Sequence, residues 1–430
     1  MRTKADLLIH SAAQLCVVPP HEGGPQRGRR LGDLGIIEDG AVVCADERIV
    51  AIGPTDQIRA DWWAPLEIDA FQRVVCPGFV DPHTHLVWAG DRVEEFEQRV
   101  QGATYLEIQA LGGGIMSTVR ATRAAPVDQL VAESWLRLDR MLAHGTTTME
   151  VKTGYGLTPD DEFKMLETIS VLDVTHSVTL VPTFLGAHAV PEAFAHDPDG
   201  YVELVVEGML PLVAPDGFRE ESFPKRSLST RFCDVFCDEG AFTLEQSRRV
   251  LEKARELGLG LKIHADEFRP LGGTALAVEL GAVSADHLVC TPPEEIEKLG
   301  RSDTVAVSLP ATPFGLGQQE YTPAGAILEA GGILALATDC NPGTAWCESV
   351  PFVIALACRY LHLTPAQALV AATLNAAYAV GLGEQVGSLE VGRAADILIL
   401  HLPDVRHLGY RFGTNPVERV IKAGRIVVEQ

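Results

Sequence analysis

The sequence predicts an α/β chain: a (β/α)8 TIM-like barrel with a small composite β-sandwich domain drawn from both termini. Three observations predict it. Eight short apolar runs, VVCPGFV, TTTMEV, VTLVPTF, FCDVF, LGLKI, AVSA, VAVSL and ILALA, recur along the middle of the chain. Amphipathic stretches with helix start and stop signals separate them, which is the alternation a parallel barrel requires. The two ends of the chain, by contrast, are strand-like and Gly-punctuated.

In chain order, residues 1–76 carry ADLLIHSA, GIIEDGAVVCADERIVAIGP and LEIDAFQRVVCPGF, short β segments with acidic turns, and form the first part of the sandwich. Residues 77–387 form the barrel. Within it Thr158, Thr243, Thr291 and Thr364 each precede an acid or amide at the third helical position, the pattern of a Thr N-cap. Gly145, Gly258, Gly300 and Gly381 sit where helices should stop. Residues 388–430 return to strand character in ADILILHL and ERVIKAGRIVVEQ and complete the sandwich. A doubly wound open sheet would need a Gly-rich phosphate-binding turn after the first strand. Asp81-Pro82-His83-Thr84-His85 stands there instead.

Composition narrows the function. Lys and Arg number 35 against 58 Asp and Glu, a net charge of −23 that repels polyanions, so neither nucleic acid nor an acidic membrane surface is expected as a partner. Nine cysteines are scattered, with no disulfide framework and no CxxC knuckle, and read as reduced, mostly buried thiols. Cys233 and Cys237 have the wrong spacing for a knuckle and are expected to pack within a strand. The N-terminal stretch reads as a β-strand without a cleavage site, and no apolar run reaches the roughly 18 residues of a membrane span. A soluble cytoplasmic protein is expected, and a homodimer is the base-rate assembly.

The chemistry gathers at the strand ends, where barrels place their active sites. His83 and His85 follow the first strand, and their i, i+2 spacing on an extended backbone puts both imidazoles on one face. His264 ends the fifth strand with Glu267 three residues on, Asp286-His287 end the sixth, and Asp339 ends the eighth. Three imidazoles and a carboxylate make an N3O set suited to Zn2+ or Fe2+. Such an ion lowers the pKa of water towards about 7. Glu267 and His287 are then left to move protons and polarise a carbonyl. Arg92, on the loop above the first strand, can grip a carboxylate; spacing alone favours a surface ion pair with Asp91 or Glu94. Tyr155 and His188 add polar tips at the same mouth. Lys152 is expected in a barrel-wall ion pair or a supporting role, His144 at a helix C-terminus, and Gly112-Gly113-Gly114 in a loop near the site, since no Lys-Ser/Thr follows it.

The motifs PGFVDPHTHLVWAGDR, EVKTGYGL, TFLGAHAVP, FCDVFCDEG, LKIHADEF, SADHL and LATDCNPGT, in this order, resemble the successive strand-end motifs of the amidohydrolase superfamily, over essentially the whole chain. ADLLI, GAVVCADERIVAIGP and GSLEVGRAADILIL are similar to its sandwich segments. WAGDR, KTGYG, FLGAHAVP and ATDCNPGT most resemble those members that open an imidazolone ring in histidine degradation. The resemblance implies that His83, His85, His264 and Asp339 hold one divalent metal ion, Zn2+ or Fe2+. It implies that Arg92, Tyr155, His188, Glu267, Asn341, Gly343 and Thr344 contact the substrate, with Tyr105 a weaker candidate, and that Glu267, His287 and Asp339 act in catalysis. The implied reaction is hydrolysis of the cyclic amide C–N bond of a small anionic substrate, 4-imidazolone-5-propanoate, to N-formimidoyl-L-glutamate. A cytosine- or guanine-type deaminase shares the ligand pattern and is the alternative; a catalytically silent scaffold is a third. Two segments depart from the family pattern: Pro215 to Thr230, read as an insertion before the fourth strand, and SLPATPFGLG after the seventh.

Overall fold

The computed structural model describes residues 2–103, 112–214 and 230–430. Tyr105 and nearly all of the 215–230 insertion lie outside the described residues. Each apolar run supplies one barrel strand, although the first, VVCPGFV, splits and gives Val74–Pro77 to the sandwich: β1 (Phe79–Asp81), β2 (Thr146–Lys152), β3 (Thr179–Ala187), β4 (Phe232–Cys237), β5 (Gly260–Ala265), β6 (Ser284–His287), β7 (Val305–Ser308) and β8 (Ile333–Leu336). They pair in parallel in sequential order, as one sheet of eight. The strands are almost wholly buried because helices cover the outer face and side chains fill the lumen.

Period-two alternation sends one set of side chains inward. Glu150 and Lys152 on β2, and Lys262 and His264 on β5, are such i, i+2 pairs, and all four are buried. The ring closes differently from the other junctions. Between β1 and β8 the backbone contact comes just past the strands: Thr84 bridges Cys340, the Asp339 amide donates to the His83 carbonyl at 3.1 Å, and the His85 amide donates to the Cys340 carbonyl at 3.0 Å. Below this, the Asp81 carboxylate accepts from the Thr338 amide at 3.1 Å and hydroxyl at 2.6 Å.

Helix boundaries follow the caps with two corrections. Thr158 accepts from the Asp161 amide, and Thr243 and Thr364 form full capping boxes with Gln246 and Gln367. Thr291 is not a cap: the helix Pro293–Gly300 starts after an extended Pro292, and the Thr291 hydroxyl donates instead to buried Asp266 at 3.0 Å. Gly145, Gly258 and Gly381 adopt the left-handed backbone expected of stops, with φ of 95°, 78° and 68°. Gly300 is the last helical residue, and close packing explains it better than termination: a Cβ there would lie 2.5 Å from the Ala330 carbonyl oxygen. Replacing Thr243 by Ala is expected to lower stability by about 1 kcal/mol. Urea unfolding should show this as a lower midpoint with an unchanged slope.

Both termini build the second unit. Gln14–Leu15 and Val74–Pro77 join Ile397–Leu400, Val417–Lys422 and Arg425–Glu429 in a five-stranded sheet; Leu7–Ala12, Gly40–Ala45, Arg48–Pro54 and Leu66–Asp69 form a four-stranded one. Leu7, Ile9, Val42, Val75, Ile397 and Ile421 share a core between them. Only Gly78 separates Val74–Pro77 from β1, and a Cβ there would meet the Thr147 hydroxyl at 2.2 Å. All nine cysteines are free thiols, with Cys233 and Cys237 buried on β4. Among the described residues no helix is long and apolar enough to cross a membrane.

Candidate metal centre

His83 and His85 leave β1 and face Asp339 across the barrel closure. Asp339 Oδ1 lies 3.6 Å from His83 Nε2 and 3.5 Å from His85 Nε2, and His85 Nε2 is 3.5 Å from His264 Nε2. Four donors around an ion at about 2.0–2.2 Å stand about 3.3–3.6 Å apart in a tetrahedron, and these three spacings fall in that range. His83 Nε2 is buried without a hydrogen-bond partner among the described residues. An unpaired polar atom in that setting is costly unless something binds it.

Carboxylates lie against the opposite edges of two imidazoles. His83 Nδ1 is 2.6 Å from Asp286 Oδ2, and His264 Nδ1 is 3.0 Å from Asp234 Oδ2. A carboxylate behind an imidazole sets its tautomer and aims Nε2 forward, as ligand histidines require. Burial, and then neighbouring Lys152, push the His83 pKa well below the ordinary histidine value; burial and then His188 do the same for His85. Neutral imidazoles are the ligating form. Asp339 Oδ2 accepts from Thr312 at 2.6 Å, which turns Oδ1 towards the histidines. Thr312 belongs to the SLPATPFGLG segment, so this loop supports the ligand set. The residues present fit a divalent metal ion.

Beneath this set lies a fully buried ionic cluster. Lys152 Nζ is 2.7 Å from Asp234, 3.0 Å from Glu150 and 3.5 Å from Asp286. Lys262 Nζ is 2.9 Å from Glu150 and donates to the Pro82 carbonyl at 3.2 Å. Burial alone would lower the Lys152 pKa, but Asp234, Glu150 and Asp286 outweigh it and hold the ammonium above its ordinary value. Burial likewise opposes an ionised Asp234, and His264 and Lys152 overcome it. Lys152 thus takes the expected barrel-wall ion pair. The sequence reading missed Asp234, Glu150 and Lys262; the available signal was a charge inside an apolar run, as in FCDVF and LGLKI.

Around the mouth, Glu267 Oε2 is 3.6 Å from His287 Nδ1, and burial, then the Asp339 charge, raise the Glu267 pKa well above the carboxylate range. His287 Nε2 is buried without a recorded partner among the described residues, and its ring centre is 5.2 Å from that of His264. His83, His264 and His287 also form a trio within ligating reach of one another. His188 stacks on His85 at 4.9 Å and 12°, and its Nδ1 meets the Gly154 carbonyl at 3.1 Å. Burial lowers the His188 pKa to about 3. The Tyr155 ring lies 5.8 Å from His85. Asn341 Oδ1 accepts from the Gly343 and Thr344 amides, both at 2.8 Å, while Nδ2 donates to the Asp339 carbonyl at 2.7 Å. These three residues therefore make a knotted turn beside Asp339. His144 caps its helix through Nδ1 and the Arg140 carbonyl at 2.8 Å.

Arg92 pairs with neither Asp91 nor Glu94. Its Nε and Nη2 reach Glu95 Oε2 at 2.9 and 2.8 Å, and Glu95 Oε1 accepts from the Gly114 amide at 3.0 Å. The Gly112-Gly114 segment is thus tied to the Arg92 loop. Arg92 also lies against the knotted turn: a Cβ at Gly343 would stand 2.1 Å from Arg92 Nη1.

Comparison with known proteins shows the family. A sequence profile described as "Amidohydrolase family" matches residues 74–427, and one described as "Imidazolonepropionase-like composite domain, bacteria" matches residues 40–62. An imidazolonepropionase of Herpetosiphon aurantiacus is 55% identical, covering 98% of this chain and 97% of its own. One of Symbiobacterium thermophilum is 49% identical, covering 99% and 98%. Among solved structures, a zinc-bound adenosine deaminase from Xanthomonas campestris superposes with a TM-score of 0.72 at 22% identity, over 100% of this chain and 94% of that one. E. coli guanine deaminase does so with a TM-score of 0.71 at 16% identity, over 98% and 99%. These two show the fold alone.

Proposed function

The chain belongs to the amidohydrolase family, and we infer from this that it hydrolyses a cyclic amide C–N bond, opening 4-imidazolone-5-propanoate to N-formimidoyl-L-glutamate in histidine degradation. The observation that carries the reading is a convergent N3O donor set with a guanidinium beside the Asp339–Thr344 turn. His83, His85, His264 and Asp339 would hold the ion, and zinc and iron(II) both suit three imidazoles and a carboxylate. When bound, the ion supplies Lewis acidity and a water-derived nucleophile near neutral pH.

The chain's own groups do the rest. Glu267, its pKa raised well above the carboxylate range by burial, hydrogen-bonds the ring nitrogens. Neutral His287 presents Nε2 to the carbonyl side, and its Nδ1 faces Glu267, so a proton has a path between them. The scissile C–N bond breaks as oxygen from water adds to the carbonyl carbon. The departing nitrogen takes up a proton, leaving a carboxylate and a formamidine. Arg92 binds the propionate, and Tyr155 and His188 wall the ring. The acidic surface suits a small soluble substrate, and we place the enzyme in the cytoplasm as a homodimer.

Purified, metal-replete protein should consume imidazolone propanoate and form N-formimidoylglutamate without releasing ammonia. Ammonia from cytosine or guanine, with the imidazolone untouched, would establish the deaminase reading instead. A preparation without metal that added Zn2+ or Fe2+ fails to activate would point to a silent scaffold. Arg92→Ala is expected to raise KM about a hundredfold with a smaller change in kcat. Wild-type KM should depend only weakly on ionic strength, because recognition rests on a local clamp.

A further inference from the structure

Arg92 alone does not explain selection of an anion. Glu95 Oε2 takes its Nε and one Nη2 proton, and Glu95 itself is buried, so the pair is close to neutral. The Nη1 side of the fork, which Glu95 does not take, lies against Gly343. Glu95 therefore selects which edge of the guanidinium a carboxylate can meet, and cancels much of the charge that would attract it.

A second cation stands on the same helix, Val93–Val100. Arg99 Nη2 donates to the Gly343 carbonyl at 3.1 Å, so both arginines close on one residue of the turn that follows β8. Burial, then the adjacent Arg92 charge, lower the Arg99 pKa, as expected of two guanidiniums in one field. Resting on the ring-opening reading above, we propose that Arg99 is a specificity-determining residue for substrates with a carboxylate side chain. It restores the net positive charge that Glu95 removes from Arg92 and pins Gly343 where the free edge of Arg92 opens. Two cations and one buried anion leave one net charge, matched to a monoanion.

The test compares kcat/KM on imidazolone propanoate and on its neutral propanamide, using metal-replete wild type, Arg99→Gln, Arg99→Lys and Arg92→Met. Arg99 is only half-buried, so its variants should fold, which thermal melting and metal content verify. Arg99→Gln keeps an N–H for the Gly343 carbonyl but no charge, and should reduce the preference for the carboxylate about tenfold, mainly through KM. Arg99→Lys should retain most of it. An unchanged preference in Arg99→Gln, or an equal loss in both variants, overturns the proposal. If Arg92→Met abolishes the preference while Arg99→Gln does not, Arg99 fails and the carboxylate site stands. If Arg92→Met leaves the preference intact, the site reading itself fails, and this proposal with it.

Discussion

Asp339→Asn enzyme is expected to fold normally and to lose at least about a thousandfold in kcat together with its tight hold on metal. Asn matches the shape of Asp, so the strand-end turn and the Thr312 contact can persist. What disappears is the only carboxylate among the four converging donors, its Oδ1 3.5–3.6 Å from two imidazole nitrogens. A neutral amide oxygen is a poorer partner for a divalent cation and cannot take a proton at neutral pH. Without a bound ion, burial raises the Asp339 pKa to about 6. Elemental analysis and ring-opening rates check the prediction; wild-type metal content with a rate within tenfold would defeat it. Chelation of the wild type should reproduce the loss, and either Zn2+ or Fe2+ should reverse it.

Lys152→Met is expected to destabilise the fold by about 3–5 kcal/mol, the cost of removing one partner from a buried ion pair. It leaves Asp234, Glu150 and Asp286 buried with only the Lys262 ammonium to offset three carboxylates. An exposed pair such as Arg301 and Glu297, by contrast, contributes about 0–1 kcal/mol. Asp234 and Asp286 also back His264 and His83, so the same substitution should weaken metal retention about tenfold or more. Urea unfolding and chelator competition report the two effects separately. Unchanged stability and metal retention would show that the cluster is dispensable.

Much of this was legible in the sequence because it is encoded locally. Apolar runs ending in polar residues located the eight strands, and the two-residue spacing of His83 and His85 located the converging face. The failures are of two kinds. Some were close competition: Thr291 had two uses for one hydroxyl, and buried Asp266 took it. Arg92 had several nearby acids, and the helix that starts at Val93 puts Glu95 on its side, as i, i+3 geometry favours. Others were long-range. Asp286 and His83 are 203 positions apart, and Lys152 and Asp234 are 82 apart. Only the barrel's register brings them together, and no single stretch of sequence carries that register.

The closure between β1 and β8 ties catalysis to the endurance of the fold. Every other junction in the ring is a backbone ladder, whereas this one relies on Asp81 with Thr338 and on a few bonds through the segments that bear His83, His85 and Asp339. An ion ligated from both sides would therefore be a clasp across this seam, and binding to the folded form alone would add stability that grows with free ion concentration. The seam should exchange its amide hydrogens fastest in metal-free protein. Starved of metal, the enzyme would then become a better protease substrate as well as an idle catalyst, and its abundance would track the metal supply.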